Sequence, residues 1–197
     1  MYTVFFFISI VLWLAYVARR MVQHLHIMQQ NSYRPERFWR WLKVWGGRYT
    51  RKIDLLGVVW LALSFLLSDG LAALGFALVN LYLLLSWQRP LEKKPLVFTK
   101  RAKRLYFAAN GLAALAALVV MFTGSVWGLL VLSILACCSY VFMLLAAMVM
   151  KPIEDKINRG FMEDAKSIIQ EMPRLTVCAV TGSYGKTSTK VVLGRCV

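Results

Sequence analysis

Five long apolar runs constrain this chain more than any other feature. They cover residues 2–18, 53–67, 71–87, 105–122 and 126–150, and Asp54 is the only charged residue in any of them. A bilayer core about 30 Å thick is crossed by about 20 apolar residues in a helix. Every backbone polar group inside it must be bonded within the chain, which favours helices. The runs therefore predict an α-helical integral membrane region over residues 1–150, with about five transmembrane helices. The composition agrees: 59% of the 197 residues are hydrophobic, where a soluble domain has about 45–50%. Run 53–67 is short for a span, which puts Asp54 at the membrane interface, and no charged residue is expected deep in any span. Ser68-Asp69-Gly70 and Thr123-Gly124-Ser125 read as tight turns, with Asp69 as a turn residue rather than an intramembrane carboxylate.

Charge sets the orientation. The formal net charge is +15, from 24 Lys and Arg against 9 Asp and Glu. A signal peptide carries its positive charge before the apolar region, whereas here Arg19-Arg20 follow it. If all five runs cross, the N-terminus and both tight turns lie on one side. The 19–52 loop, the 88–104 loop and everything after residue 150 lie on the other. All 24 basic residues fall on that second side, which the positive-inside rule makes the cytoplasm. The positive charge is then accounted for by the bilayer, and no nucleic acid is expected as a partner. Within the first basic loop Phe38, Trp41, Leu42 and Trp45 share one helical face, with Arg37, Arg40 and Lys43 mainly off it. That pattern predicts a helix lying in the headgroup region. In the 105–122 run Ala108, Ala109, Gly111, Ala113, Ala114, Ala116 and Ala117 suit close helix packing.

The four cysteines, Cys137, Cys138, Cys178 and Cys196, have no metal-ligand spacing and read as reduced structural residues.

Beyond the last run, Pro152 marks the exit from the membrane. Ile157, Phe161, Ala165, Ile168, Ile169 and Met172 fall close to helical spacing, predicting a connector helix over 151–174 that packs on a first strand. Leu175–Val180 reads as that strand, Thr181–Gly185 as a small flexible turn, and Lys186 onward as a helix. Strand, Gly-rich loop and helix in that order form a phosphate loop, with backbone N–H groups and the positive end of the helix facing one phosphate. This opens a truncated α/β nucleotide-binding domain over 175–197. Lys186 is the candidate catalytic residue, reaching the β- and γ-phosphates of ATP, and the Thr187 hydroxyl is the candidate Mg²⁺ ligand. Gly182, Ser183, Tyr184, Gly185, Lys186, Thr187 and Ser188 are the expected nucleotide-binding residues. The bland alternative is a plain turn followed by a solvated lysine.

The general pattern G-x-x-x-x-G-K-[ST] fails, because Val180 stands where its first Gly belongs. A shorter form, T-G-[ST]-x-G-K-[ST], fits throughout as Thr181-Gly182-Ser183-Tyr184-Gly185-Lys186-Thr187. That form resembles the Mur ligase family, the ATP-dependent amide ligases of peptidoglycan precursor synthesis. With Ser183 and Thr187-Ser188-Thr189-Lys190 it looks most like the type adding D-alanyl-D-alanine to a UDP-linked muramoyl tripeptide. Tyr184 departs from the Asn or Ser common there. The resemblance covers roughly residues 151–197. It implies ATP and Mg²⁺ as cofactors and an acyl-phosphate route to an amide. It also implies a UDP-linked muramoyl peptide and other cell-wall precursor enzymes as partners, and a bacterial cell membrane as location. Only ten residues follow Thr187, so the chain is expected to be a fragment that is inactive alone. The alternative is a non-catalytic multi-span membrane anchor or scaffold with a vestigial nucleotide loop.

Overall fold

The first helix, α1 (Tyr2–Gln30), runs well past the predicted end of its span at residue 18. Residues 19–30 contain neither Pro nor Gly, and Met21, Leu25 and Met28 are fully buried, so packing carries the helix through Arg19-Arg20. It stops where Ser32 and Tyr33 take left-handed backbone angles, φ 59° and 57°. Pro35 then opens α2 (Pro35–Tyr49), at the position where its missing N–H costs nothing. Of the predicted α2 face, Phe38 and Leu42 are buried and Trp41 packs against the core, while Trp45 is exposed.

This computed structural model describes residues 2–49, 52–63, 67–86, 95–172, 181–182 and 185–196. The chain divides into two compact units, Met1–Pro152 and Ile153–Val197. In the first, a 3-10 turn (Lys52–Leu55) leads into α3 (Leu56–Leu63), followed by α4 (Asp69–Leu85), α5 (Lys100–Thr123), α6 (Val126–Cys137) and α7 (Tyr140–Gln170). The second holds the remainder of α7 and α8 (Lys186–Cys196). No strand occurs among the described residues, and the expected strand Leu175–Val180 lies outside them.

Five separate spans are not what forms. Among the described residues two helices, α1 and α5, are long and apolar enough to cross a membrane, or three if α6 and α7 count as one bent pair. At 1.5 Å per residue α3 is only about 12 Å long and α6 about 18 Å, short of the hydrocarbon core. The predicted span 126–150 is broken at Cys138-Ser139, where α6 and α7 meet at 76°. Pro152, expected to mark the exit from the membrane, sits inside α7, which runs on without a break into the expected connector helix. Its ring removes one hydrogen bond, to the carbonyl of the exposed Met148, and the flanking turns hold.

Hydrogen bonds between helices fix their directions. Along α1, the Ser9 hydroxyl lies 2.8 Å from the Ala73 carbonyl and Arg19 donates to the Leu84 carbonyl at 2.8 Å, so α4 runs parallel to α1. The Tyr2 hydroxyl donates to the Gly124 carbonyl and the Tyr106 hydroxyl to the Ala18 carbonyl, so α5 runs antiparallel. Trp13 donates to Leu132 and His24 pairs with Ser139, which sets α6 parallel. The Thr123–Ser125 turn forms, with Gly124 left-handed and Ser125 capping α6. Of the other predicted turn, Ser68 is the N-cap residue, and Asp69 and Gly70 already belong to the first turn of α4, Asp69 exposed.

The core of the first unit is centred on α1, which packs against α2, α4, α5 and α6. On α5 the buried small residues are Ala102, Ala109, Ala113 and Ala117, one face at helical spacing, while Gly111 and Ala114 look outward. In the second unit no described apolar side chain is buried. Phe161, Ile168, Ile169 and Met172, expected to pack on the first strand, are all exposed.

Candidate functional site

In the segment expected to form the phosphate loop, two glycines take unusual backbone angles. Gly182 has φ 151° and Gly185 φ 75°, both in territory that an L side chain enters only with strain. Directly after Gly185 the chain turns into α8, whose first residue is Lys186. The Thr189 N–H and the Thr189 hydroxyl both donate to the Gly185 carbonyl, at 2.9 Å each, which closes the first turn. Thr189 thus lines the helix start, as the sequence suggests.

Lys186, Thr187 and Ser188 all lie exposed in that first turn, and Gly182 and Gly185 are exposed before it. Ser183 and Tyr184 lie outside the described residues. The donor set fits a phosphate: one ammonium, two hydroxyls and the amides that a helix start leaves without an intrahelical acceptor. Among the described residues no three His, Cys, Asp or Glu side chains gather to hold a metal ion. The Thr187 hydroxyl, expected as the Mg²⁺ ligand, is exposed in the first turn of α8.

A second constellation, in the first unit, was not foreseen. Ser9, Trp13, Tyr16, Arg20 and His24 follow one another at helical spacing on a single face of α1, and all five are fully buried. The Arg20 guanidinium lies 3.4 Å from the Asp54 carboxylate, and the Tyr16 hydroxyl donates to the other oxygen of that carboxylate. The Cys137 thiol donates to the Asp54 backbone carbonyl at 3.3 Å. One turn further along α1, His24 Nε2 sits 2.8 Å from the Ser139 hydroxyl, at the α6–α7 break.

The burial itself was not expected: Asp54 is 3% exposed, and the pair it forms with Arg20 lies inside the helical unit. The physical reason is compensation. A charge can be buried when its partner and hydrogen bonds come with it, and the 3-10 turn delivers Asp54 to Arg20 and Tyr16 together. The signal available in the sequence was the spacing Ser9, Trp13, Tyr16, Arg20, His24, a polar face running along an apolar helix.

Near the other end of this unit an apolar cavity of about 410 Å³ opens between α3, α4 and α6. Leu61, Ala72, Trp127 and Leu130 wall it, and Asp69 is the one carboxylate among its described lining residues. Cys137 and Cys138 are free thiols.

No protein-family model, no curated protein and no solved structure matches this chain.

Proposed function

We propose that the chain is a membrane-attached, ATP-dependent amide ligase of the Mur type, acting in peptidoglycan precursor synthesis. The observation carrying this reading is the seven-residue pattern Thr181–Thr187, with Gly185 in a left-handed conformation immediately before a helix that starts at Lys186. Bound MgATP supplies the phosphoryl group that activates a carboxylate for attack by an amine. Lys186 holds the β- and γ-phosphates, the backbone around Gly182, Ser183, Tyr184 and Gly185 cradles them, Thr187 ligates Mg²⁺, and Ser188 lines the first turn. The resemblance points to a UDP-linked muramoyl tripeptide as carboxylate and D-alanyl-D-alanine as amine.

The orientation proposed is N-terminus outside and phosphate loop on the cytoplasmic side of a bacterial cell membrane. All Lys and Arg lie in the segments 19–52, 89–104 and 151–195. Within the first unit the helix directions bring the C-terminal ends of α1 and α4 and the start of α5 to one end, which supports a common side for the first two segments. The experiment is an assay of ADP release by the protein purified from membranes. Release that needs both UDP-muramoyl tripeptide and D-alanyl-D-alanine, and that Lys186→Ala abolishes, supports the ligase. ADP release indifferent to both substrates and to Lys186 defeats it.

A second reading, a membrane anchor or scaffold with a vestigial loop, is favoured by one observation. The fully buried polar face of α1 makes the helical unit well specified by contacts with Ala73, Leu132, Asp54 and Ser139. Unchanged precursor synthesis in cells carrying Lys186→Ala would favour it.

A further inference from the structure

We propose that the end of the helical unit formed by α2 and the residues leading into α5 is a binding surface for anionic phospholipid headgroups. This rests on the reading of that unit as membrane-embedded and is independent of the nucleotide loop.

Two elements build the surface and are tied to one corner. After α1 the chain reverses through Ser32 and Tyr33, and the Tyr33 N–H donates to the Met28 carbonyl at 2.8 Å. Arg101, at the start of α5, stacks its guanidinium 4.7 Å from the centre of the Tyr33 ring. Gln29 bonds Val97 in both directions, accepting from its N–H at 3.2 Å and donating to its carbonyl at 3.0 Å. The 95–101 segment is thereby pinned to the α1–α2 corner.

What these elements present outward is positive and apolar together. α2 turns Phe38 and Leu42 into the core, which leaves Arg37, Arg40 and Lys43 exposed. Arg34, Lys100 and Lys103 are exposed beside them. None of these six cations forms an ion pair with a carboxylate among the described residues, and Glu36 is the one acid on α2. Between them stand exposed Trp39, Val44, Trp45, Val97 and Phe98, with the Lys43 ammonium 5.7 Å from the Trp39 ring centre. Uncompensated cations call for anions, and exposed indole and phenyl rings call for an apolar or interfacial medium. A headgroup layer with negative phosphates above acyl chains supplies both, at one depth. A nucleic-acid backbone would answer the charge and leave Val44 at 72% exposure without cover.

The test places the whole protein in nanodiscs of neutral lipid doped with a minor share of brominated lipid, and reads tryptophan quenching. Quenching by brominated phosphatidylcholine reports embedding alone, and its absence would overturn the membrane reading on which the proposal stands. Brominated phosphatidylglycerol at the same mole fraction is expected to quench roughly twofold more, because basic residues enrich it locally. That excess should vanish at about 0.5 M salt, where screening acts over only a few ångströms. It should also vanish in the Arg37→Gln/Arg40→Gln/Lys43→Gln protein and fall in the Lys100→Gln/Lys103→Gln protein, with unchanged thermal melting in both. Equal quenching by the two lipids in the wild type overturns the proposal, as does an excess that both variants keep. So does a fluorescent single-stranded oligonucleotide that binds the protein and erases the excess.

Discussion

The two units of this chain are specified in different ways. In Met1–Pro152, α1 hides Trp13, Tyr16, Arg20 and His24 completely, and each contacts a residue at least 34 positions away in the chain or an element that carries one. In Ile153–Val197 the local chain makes the geometry: Gly185 supplies the turn, Thr189 closes it, and Val191, Val192 and Leu193 of α8 stay exposed. The lesson is that the helical unit stands on distant partners meeting, whereas the turn into α8 needs only its own few residues in order. Changes in the first should therefore alter stability, and changes in the second should alter ligand binding and leave the melting of the helical unit alone.

The sharpest way to break that contrast is to strand one member of the buried pair. Asp54→Ala leaves Arg20 charged inside the unit and is expected to cost about 3–5 kcal/mol, read as loss of folded protein in detergent melting or denaturant titration. The Arg20→Met/Asp54→Leu protein should recover most of that loss, because apolar replacement of a buried pair is often neutral. A melting curve for Asp54→Ala that matches wild type would remove the pair from the account. Next in size is Gly75→Ala. Its new methyl runs into the Trp60 ring, whose N–H donates to the Ala72 carbonyl at 3.1 Å. Overpacking there is expected to cost about 1–3 kcal/mol, relieved when Trp60 is shortened to Leu in the same chain.

In the second unit, Gly185→Ala forces a side chain into a left-handed conformation at a local cost of about 1–2 kcal/mol. It should weaken nucleotide binding roughly tenfold, since that strain opposes the bound loop shape. Intrinsic fluorescence melting of the helical unit should not move. The smallest effect belongs to Trp13→Phe, which loses the 2.7 Å bond to the Leu132 carbonyl while keeping an aromatic ring. That carbonyl sits in a helix, so the change should cost only about 0.6 kcal/mol. A loss several times larger would mean that the α1 polar face acts as one cooperative network.

Legibility followed the same division. The apolar runs, the turn at Thr123–Ser125, the start of α4 after Ser68, and the amphipathic α2 were readable because each is a matter of adjacent residues. The glycine positions of the loop were readable for the same reason. The number of crossings was not, because Cys138-Ser139 contains no Pro or Gly to announce the break between α6 and α7. That break coincides with a bond from Ser139 to His24, 115 residues away in the chain. The pairing of Asp54 was not readable either, because its partners Arg20 and Tyr16 lie far from it in the chain. The continuity of α7 through Pro152 was not readable, because one lost hydrogen bond does not end a helix whose neighbouring turns are intact.

The central claim is that the Thr181–Thr187 loop binds a nucleotide phosphate on its own terms. Photolabelling of the purified protein with 8-azido-ATP and Mg²⁺, followed by mapping of the labelled peptide, tests it most directly. The account predicts labelling of a peptide next to the loop, competed by ATP. It should fall at least roughly tenfold in Lys186→Ala, or about 1.4 kcal/mol, with melting of the helical unit unchanged. Labelling that persists in Lys186→Ala, or that maps only to the helical unit, would contradict it.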